Sequence, residues 1–193
     1  FAPIEYRPLG RILITNWGKN EHRSGEAKGF RICPDCGRHQ PYDPDDEAKE
    51  KKLKEWRDGH ARFCSGNPLP LVLGHEFTAD CLILSVPSYR DSVSVGNLEL
   101  SPFAVTLTEA LLAGAASVLE LENYELAAFP RKSPAGGSSD EIVFYETVPG
   151  GAGYIEDIAR RLPEIAQAAR ERLYEHDCAK ACYLCLKHYR NQR

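Results

Sequence analysis

The chain has 193 residues, 42% hydrophobic and 27% charged, which is enough to bury one core and predicts a single globular domain with a small insert. Its formal charge of −4 excludes a protein that coats nucleic acid through a uniformly basic surface, so any DNA contact must be local. No apolar run approaches the roughly 20 residues of a membrane-spanning helix, and Phe1-Ala-Pro-Ile-Glu-Tyr6 lacks the basic-then-apolar order of a signal peptide, which predicts a cytoplasmic protein without membrane contact.

In chain order, Ile4, Tyr6, Leu9, Ile12 and Ile14 alternate loosely and suit a strand or two, closed by the polar, glycine-containing stretch 17–29. Phe30-Arg-Ile-Cys-Pro-Asp-Cys-Gly37 then has the strand, turn and glycine order of half a zinc ribbon. Residues 43–59 read as a solvated helix, with Asp43 as cap, Pro44 at the first position and Leu53 and Trp56 on one apolar edge. Cys81-Leu-Ile-Leu-Ser-Val86 is strand-like, and 91–100 reads as turn and linker. Residues 101–121 form a helix packed closely at its small residues, with Phe103, Leu107, Leu111, Val118 and Leu121 at helical spacings. A short strand at 124–129, a loop at 130–140 and a buried strand at 141–147 lead into a glycine turn and a long helix over 155–175. The chain begins without Met and stops at Arg193 inside what reads as a structured segment, which predicts a piece of a longer polypeptide.

The seven cysteines are odd in number and clustered at short gaps, a pattern that favours metal ligation over disulfides. The first group is Cys33, Cys36, His60 and Cys64. A two-residue gap lets two thiolates of one tight turn share an ion, and His60 and Cys64, four apart, project from one side of a helix end. His39 is a rival for the histidine role.

The second group is Cys178, Cys182 and Cys185, one ligand short of a closed zinc site. The fourth is His188, with His176, Cys81 or a residue beyond the chain as alternatives. Cys81 itself reads as a small buried hydrophobe. The spacing is also that of the radical-SAM iron–sulfur motif, but that class needs a large barrel downstream of its cysteines.

Val148-Pro-Gly-Gly-Ala-Gly153 lies between strand and helix. It is either a tight docking turn or a phosphate contact through Gly150, Gly151 and Gly153. It lacks the lysine of a nucleotide-binding loop. Lys187 and Arg190 supply local positive charge for DNA, with a solvated tail as the alternative. His75, Glu76 and Asp80 suggest a metal-dependent hydrolase, although their spacing is not that of a zinc-protease helix.

Gly74-His-Glu-Phe-Thr-Ala-Asp80, Leu107-Thr-Glu-Ala-Leu-Leu-Ala-Gly-Ala-Ala116, Tyr145-Glu-Thr-Val-Pro-Gly-Gly-Ala-Gly-Tyr154 and the closing Cys182-Tyr-Leu-Cys185 occur in this order. Together they resemble the MrfA-type zinc-binding domain of bacterial DEAD/DEAH-box superfamily-2 helicases and of DrmB-like proteins of DISARM phage defence. The resemblance covers about the last two-thirds of the chain. It implies an accessory domain that binds structural zinc through its C-terminal cysteines and works beside motor domains that translocate on DNA. ATP would be bound only by those motors, which this sequence does not contain. The family often has a further cysteine shortly after the position of Cys185, and this sequence has none.

These readings combine into a mixed α+β fold. A sheet is covered by two long helices, with an N-terminal ribbon-like insert within 1–68 and a core domain over 69–193 that ends in a cysteine knuckle. The expected function is structural zinc binding, of two ions, in a non-enzymatic accessory domain of a DNA-repair or antiviral helicase system. A hydrolase or nuclease and a protein-interaction adaptor are the alternatives.

Overall fold

The computed structural model describes residues 4–18, 29–41, 47–87, 93–95, 98–122, 124–134, 139–148, 151–175, 178, 181–183 and 185–187. Its elements are β1 (Ile4–Asn16), β2 (Phe30–Ile32), α1 (Glu47–Ala61), β3 (Leu69–Leu71), β4 (Leu73–Pro87), β5 (Val93–Val95), β6 (Leu98–Leu100), α2 (Pro102–Val118), β7 (Leu126–Lys132), β8 (Ser139–Glu146) and α3 (Tyr154–Tyr174). The fold is mixed α+β. A four-stranded sheet has the order β1-β4-β8-β7, and β2 with β3 and β5 with β6 form two small ribbons. Two compact units emerge, one of Phe1–Arg11 with Thr78–Arg193 and one of Ile12–Phe77.

The larger unit is organised by β8, which is buried from Asp140 to Glu146. It pairs antiparallel with β4 on one side (Leu82↔Phe144, Leu84↔Ile142) and with β7 on the other (Ala128↔Phe144). Strand alternation sends Leu82, Leu84, Val86, Ile142 and Phe144 into one cluster with Ala104, Leu111 and Ala115 of α2 and Ile155, Ile158, Ile165 and Ala169 of α3. Two helices thus cover the sheet, as the apolar spacings predict.

The small residues of α2 set the helix contact. A Cβ at Gly114 would lie 2.6 Å from the Ile165 carbonyl oxygen and 3.0 Å from the Ala169 amide nitrogen, so only glycine permits this approach. The buried side of α2 is Ala104, Thr108, Ala110, Leu111, Gly114 and Ala115, while Phe103, expected on the apolar stripe, is exposed. Close backbone packing outweighs the burial of the larger side chains here.

Ser101 caps α2 by accepting the Ala104 amide at 3.1 Å, and Pro102 fits the first helical turn. The same hydroxyl donates to Asp140 Oδ2 at 2.7 Å, and Lys132 Nζ donates to Asp140 Oδ1 at 2.8 Å. Burial alone would raise the Asp140 pKa, but the bonds from Lys132 and Ser101 outweigh it and hold the carboxyl below its ordinary value. A carboxylate with a depressed folded pKa stabilises the fold above its unfolded pKa of about 3.9, and that contribution disappears as pH falls through the folded value. Asp140→Asn is therefore expected to cost about 2 kcal/mol at pH 7, the worth of charged hydrogen bonds. The gap to wild type should narrow in denaturant titrations as pH falls below the unfolded value and close once the folded carboxyl is protonated. A gap independent of pH would show that the charge of Asp140 is not what matters.

At the other end of α2, the Leu121 amide bonds back to the Ala116 carbonyl at 2.9 Å. Glu120, between them in position, has φ 54°. This is the left-handed position of a helix C-terminal motif that glycine normally fills. Glu120→Gly is expected to raise stability by about 1 kcal/mol, measured as a shift in denaturant midpoint at constant slope.

Two expectations are corrected. Residues 91–100, read as linker, contain the β5–β6 hairpin, with Val93↔Leu100 and Val95↔Leu98 in register. Val-Ser-Val and Leu-Glu-Leu alternate around Gly96-Asn97, a short hairpin signal that the prolines and serines nearby obscured. Likewise β7 continues through Pro130 to Lys132, where a loop was expected. β7 is an edge strand, so the missing proline donor costs no ladder bond on the open side.

Candidate metal centres

The ribbon begins with β2, paired to β3 from Phe30↔Leu71 to Ile32↔Leu69. After β2 the chain turns sharply. Gly37, at φ 72°, returns its amide to the Cys33 carbonyl at 2.8 Å. Helix α1 has Glu47 and Glu50 in its first turn, favourable for the helix dipole, and buries only Leu53 and His60. At its end the Cys64 amide bonds to the His60 carbonyl at 3.0 Å, which brings both side chains to the turn.

The ligand atoms of Cys33, Cys36, His60 and Cys64 all lie within 4.8 Å of one another. Cys33 Sγ is 3.6 Å from Cys64 Sγ, and Cys36 Sγ is 3.2 Å from His60 Nε2. Tetrahedral zinc with bonds of about 2.3 Å to sulfur places its thiolates about 3.8 Å apart, whereas a disulfide needs about 2.05 Å. The donor set therefore fits zinc and not a cross-link. Burial disfavours the Cys33 thiolate, but amides of Cys36 and Asp35 outweigh it and bring its pKa down to about 7. His60 is stacked on Trp56, with ring centroids 4.6 Å apart, and meets the edge of Phe63. His39 is exposed, in a bridge with Ile32, and lies outside this group.

The second group, Cys178, Cys182 and Cys185, also falls within 4.8 Å. Cys185 Sγ is 3.7 Å from Cys178 Sγ and 3.9 Å from Cys182 Sγ, again tetrahedral-edge distances. The Cys182 carbonyl accepts the amides of Cys185 (3.1 Å) and Lys187 (2.9 Å), which closes the knuckle. The Cys182 amide donates to Cys185 Sγ at 3.1 Å. Amides of Cys182 and Leu186, against opposing burial, bring the Cys185 pKa down to about 7. His176, His188, Arg190 and Gly150 lie outside the described residues.

Cys81 is buried in β4 and bonds to the Ala79 carbonyl at 3.4 Å; a Cβ on Gly10 would lie 2.8 Å from its sulfur. It is a core residue, as read from its apolar run. In the glycine turn, Gly151 and Gly153 have φ 71° and 84°. The amides of Ala152 and Ile155 donate to the buried Glu146 carboxylate, the latter at 3.1 Å. An internal anion thus sits at the N-terminus of α3. His75 and Glu76 are consecutive on β4 and point to opposite faces, His75 stacking on Phe77. Asp80 accepts the Tyr6 hydroxyl and the Leu9 amide, both at 2.9 Å. These three residues form no metal-ligating group among the described residues.

Three residues important to the sites were not read from the sequence. A Cβ on Gly66 would lie 2.8 Å from Cys33 Sγ, and its amide reaches Cys64 Sγ at 3.4 Å; a glycine two places after the last ligand was the available signal. Arg172 Nε donates to the Cys185 carbonyl at 2.7 Å, a tie that no spacing reveals. Glu146 had no local signal beyond its position at the strand's end.

The family model for the MrfA Zn-binding domain matches residues 107–186. Druantia protein DruE of Escherichia coli (strain UMEA 4076-1) is 31% identical over 196 residues, covering 94% of this chain and 10% of that protein. The chain thus spans about a tenth of the length of the curated relative it matches. Two crystal structures of DUF1998 helicase MrfA are partial likenesses. The one bound to DNA has a TM-score of 0.49 at 17% identity over 65% of this chain and 16% of the other. The one bound to DNA and AMPPNP has a TM-score of 0.40 at 14% identity over 55% and 18%. The likeness to the MrfA Zn-binding domain thus lies in the segment 107–186, which holds most of α2, the whole of α3 and the cysteine knuckle.

Proposed function

We propose that the chain is a structural zinc-binding accessory domain of a DNA helicase or helicase-associated defence protein, and that it carries no catalytic site of its own. One zinc is held by Cys33, Cys36, His60 and Cys64 in the part formed by 1–68. A second is held by Cys178, Cys182 and Cys185 with His188 as fourth ligand, in the core formed by 69–193. The observation that carries the reading is the pair of Cys/His groups whose ligand atoms converge within 4.8 Å. Every donor is a thiolate or imidazole, the composition of a closed structural site with no water-bearing position.

The match of residues 107–186 to the MrfA Zn-binding domain and the defence-protein relative support a place beside motor domains, in the same or a partner polypeptide, which would bind ATP. DNA is the proposed ligand of the assembly, with Lys187 and Arg190 contributing local positive charge. The glycines Gly150, Gly151 and Gly153 are proposed as further DNA contacts, while the amides of Ala152 and Ile155 are taken by Glu146. A cytoplasmic location fits this work. Among the described residues no helix is long and apolar enough to cross a membrane.

Elemental analysis of purified chain is expected to give two zinc ions, and gel-shift titration should show DNA binding that weakens as salt rises. Metal-free protein that unfolds cooperatively and ignores chelator would overturn the zinc assignment. Absence of DNA binding at any salt would leave an interaction adaptor as the function.

A further inference from the structure

A cavity of about 400 Å³ opens between α2, β7 and the cysteine knuckle. Ala113 and Ala128 line it with side chains too short to fill it, Ala128 lying with Leu126 on the side of β7 that faces α2. Its volume lies toward the small end of ligand pockets, about 300–1,000 Å³, which suits one planar ring system better than an extended chain. Its lining is mixed in charge, with Glu109 and Glu122 as acids and Lys187 and Arg172 as cations, the Arg172 Nε being bonded to the Cys185 carbonyl. Tyr183, 61% exposed, also lines it, with the Lys187 ammonium 5.2 Å from its ring centroid.

These groups impose a chemistry. An exposed aromatic beside a cation is the pairing that stacks a base and meets its phosphate in single-stranded nucleic-acid binding. Carboxylates accept hydrogen bonds and cannot donate them, so they match the exocyclic amino groups of cytosine or adenine. A free inorganic anion would meet Glu109 and Glu122, and a basic side chain of a partner protein would meet Lys187 and Arg172. A nucleotide offers an amino-bearing ring to the carboxylates and a negative charge to the cations.

We infer that this cavity receives one unpaired nucleotide of a DNA strand, its base against Tyr183 and the carboxylates and its phosphate at Lys187. The inference rests on the DNA-binding reading above and adds strand and base preference to it.

The test is fluorescence anisotropy of the zinc-loaded chain with labelled oligo-dC and oligo-dT single strands and a duplex of equal length. Single strands are expected to bind more tightly than duplex. Ala128→Leu, which fills the cavity, and Tyr183→Ala should each weaken single-strand binding about tenfold, the scale of one lost base stack, at unchanged zinc content. Glu122→Gln should reduce the preference for dC over dT, and Lys187→Ala should weaken both while lowering the salt slope by about one. If Ala128→Leu fails to fold, Ala113→Val fills the same space from α2.

Salt-dependent DNA binding that is indifferent to the filling variants and to Tyr183→Ala would overturn the pocket and leave the DNA reading standing. No binding of any strand by wild type would overturn both. A filling variant that loses a motor-domain partner but keeps its DNA affinity would make the cavity a peptide site and also refute the inference.

Discussion

Cys33→Ser is expected to lower the zinc content from two ions to one and to melt the ribbon, seen as rapid proteolysis and lost amide protection over residues 29–66. Among the described residues of that segment, the buried hydrophobic ones are Cys33 and Leu53, accompanied by Gln40 and His60. The apolar area they remove from water cannot offset the backbone entropy of ordering some forty residues, at about 1–2 kcal/mol each. A structural zinc contributes on the order of 10 kcal/mol or more, and since no site exists in the unfolded chain, that binding energy becomes folding energy. Cys185→Ser should behave differently. It loses the second ion, yet α2, α3 and the sheet keep a shared apolar cluster of their own and should still unfold cooperatively. A Cys33→Ser protein that retains two zinc ions and full protection would remove the first site from consideration.

The second large effect is expected at Gly114. Alanine is favoured over glycine inside a helix by about 1 kcal/mol, so propensity alone predicts that Gly114→Ala stabilises. The geometry predicts the opposite sign. The new Cβ would stand 2.6 Å from a backbone oxygen of α3, and a backbone atom cannot rotate away as a side chain can. Overpacking costs typically 1–3 kcal/mol or more, which outweighs the propensity gain; Gly114→Val, larger and β-branched, should cost at least about 3 kcal/mol. For a chain of this size that lowers the melting temperature by about 5–10 °C. Ser117→Ala, on the exposed side of the same helix, should stay within about 0.5 kcal/mol and serves as the comparison. A Gly114→Ala protein that melts at or above wild type would show that the two helices do not meet at this point.

Those two effects also mark what was legible in the sequence. Metal-ligand spacing is a local property. A tight turn with two cysteines and a histidine four residues before a third are visible without a fold, and these residues do converge. The strand at 141–147 and the helices on either side of it were legible because their apolar runs are long and strongly periodic. The β5–β6 hairpin was not, because strands of three residues carry too little pattern to stand out from a linker. The buried side of α2 was legible only in outline. Its small residues announce close packing, but which of them faces α3 depends on a partner helix about fifty residues away. Glu146 and Arg172 were invisible for the same reason: each acts on a backbone group that only the folded chain brings near.

The bond from Arg172 to the Cys185 carbonyl gives the surface knuckle a grip on the interior. Arg172 occupies the last turn of α3, and one turn earlier Ala169 rests over Gly114. With the loop closed around its ion the carbonyl is a fixed anchor; once the loop slackens, the guanidinium loses its mooring and the helix end is free to fray toward that close crossing. Theft or oxidation of ligands at the protein's edge would then register deep inside, as hastened deuterium uptake along the C-terminal half of α3 well before the sheet gives way.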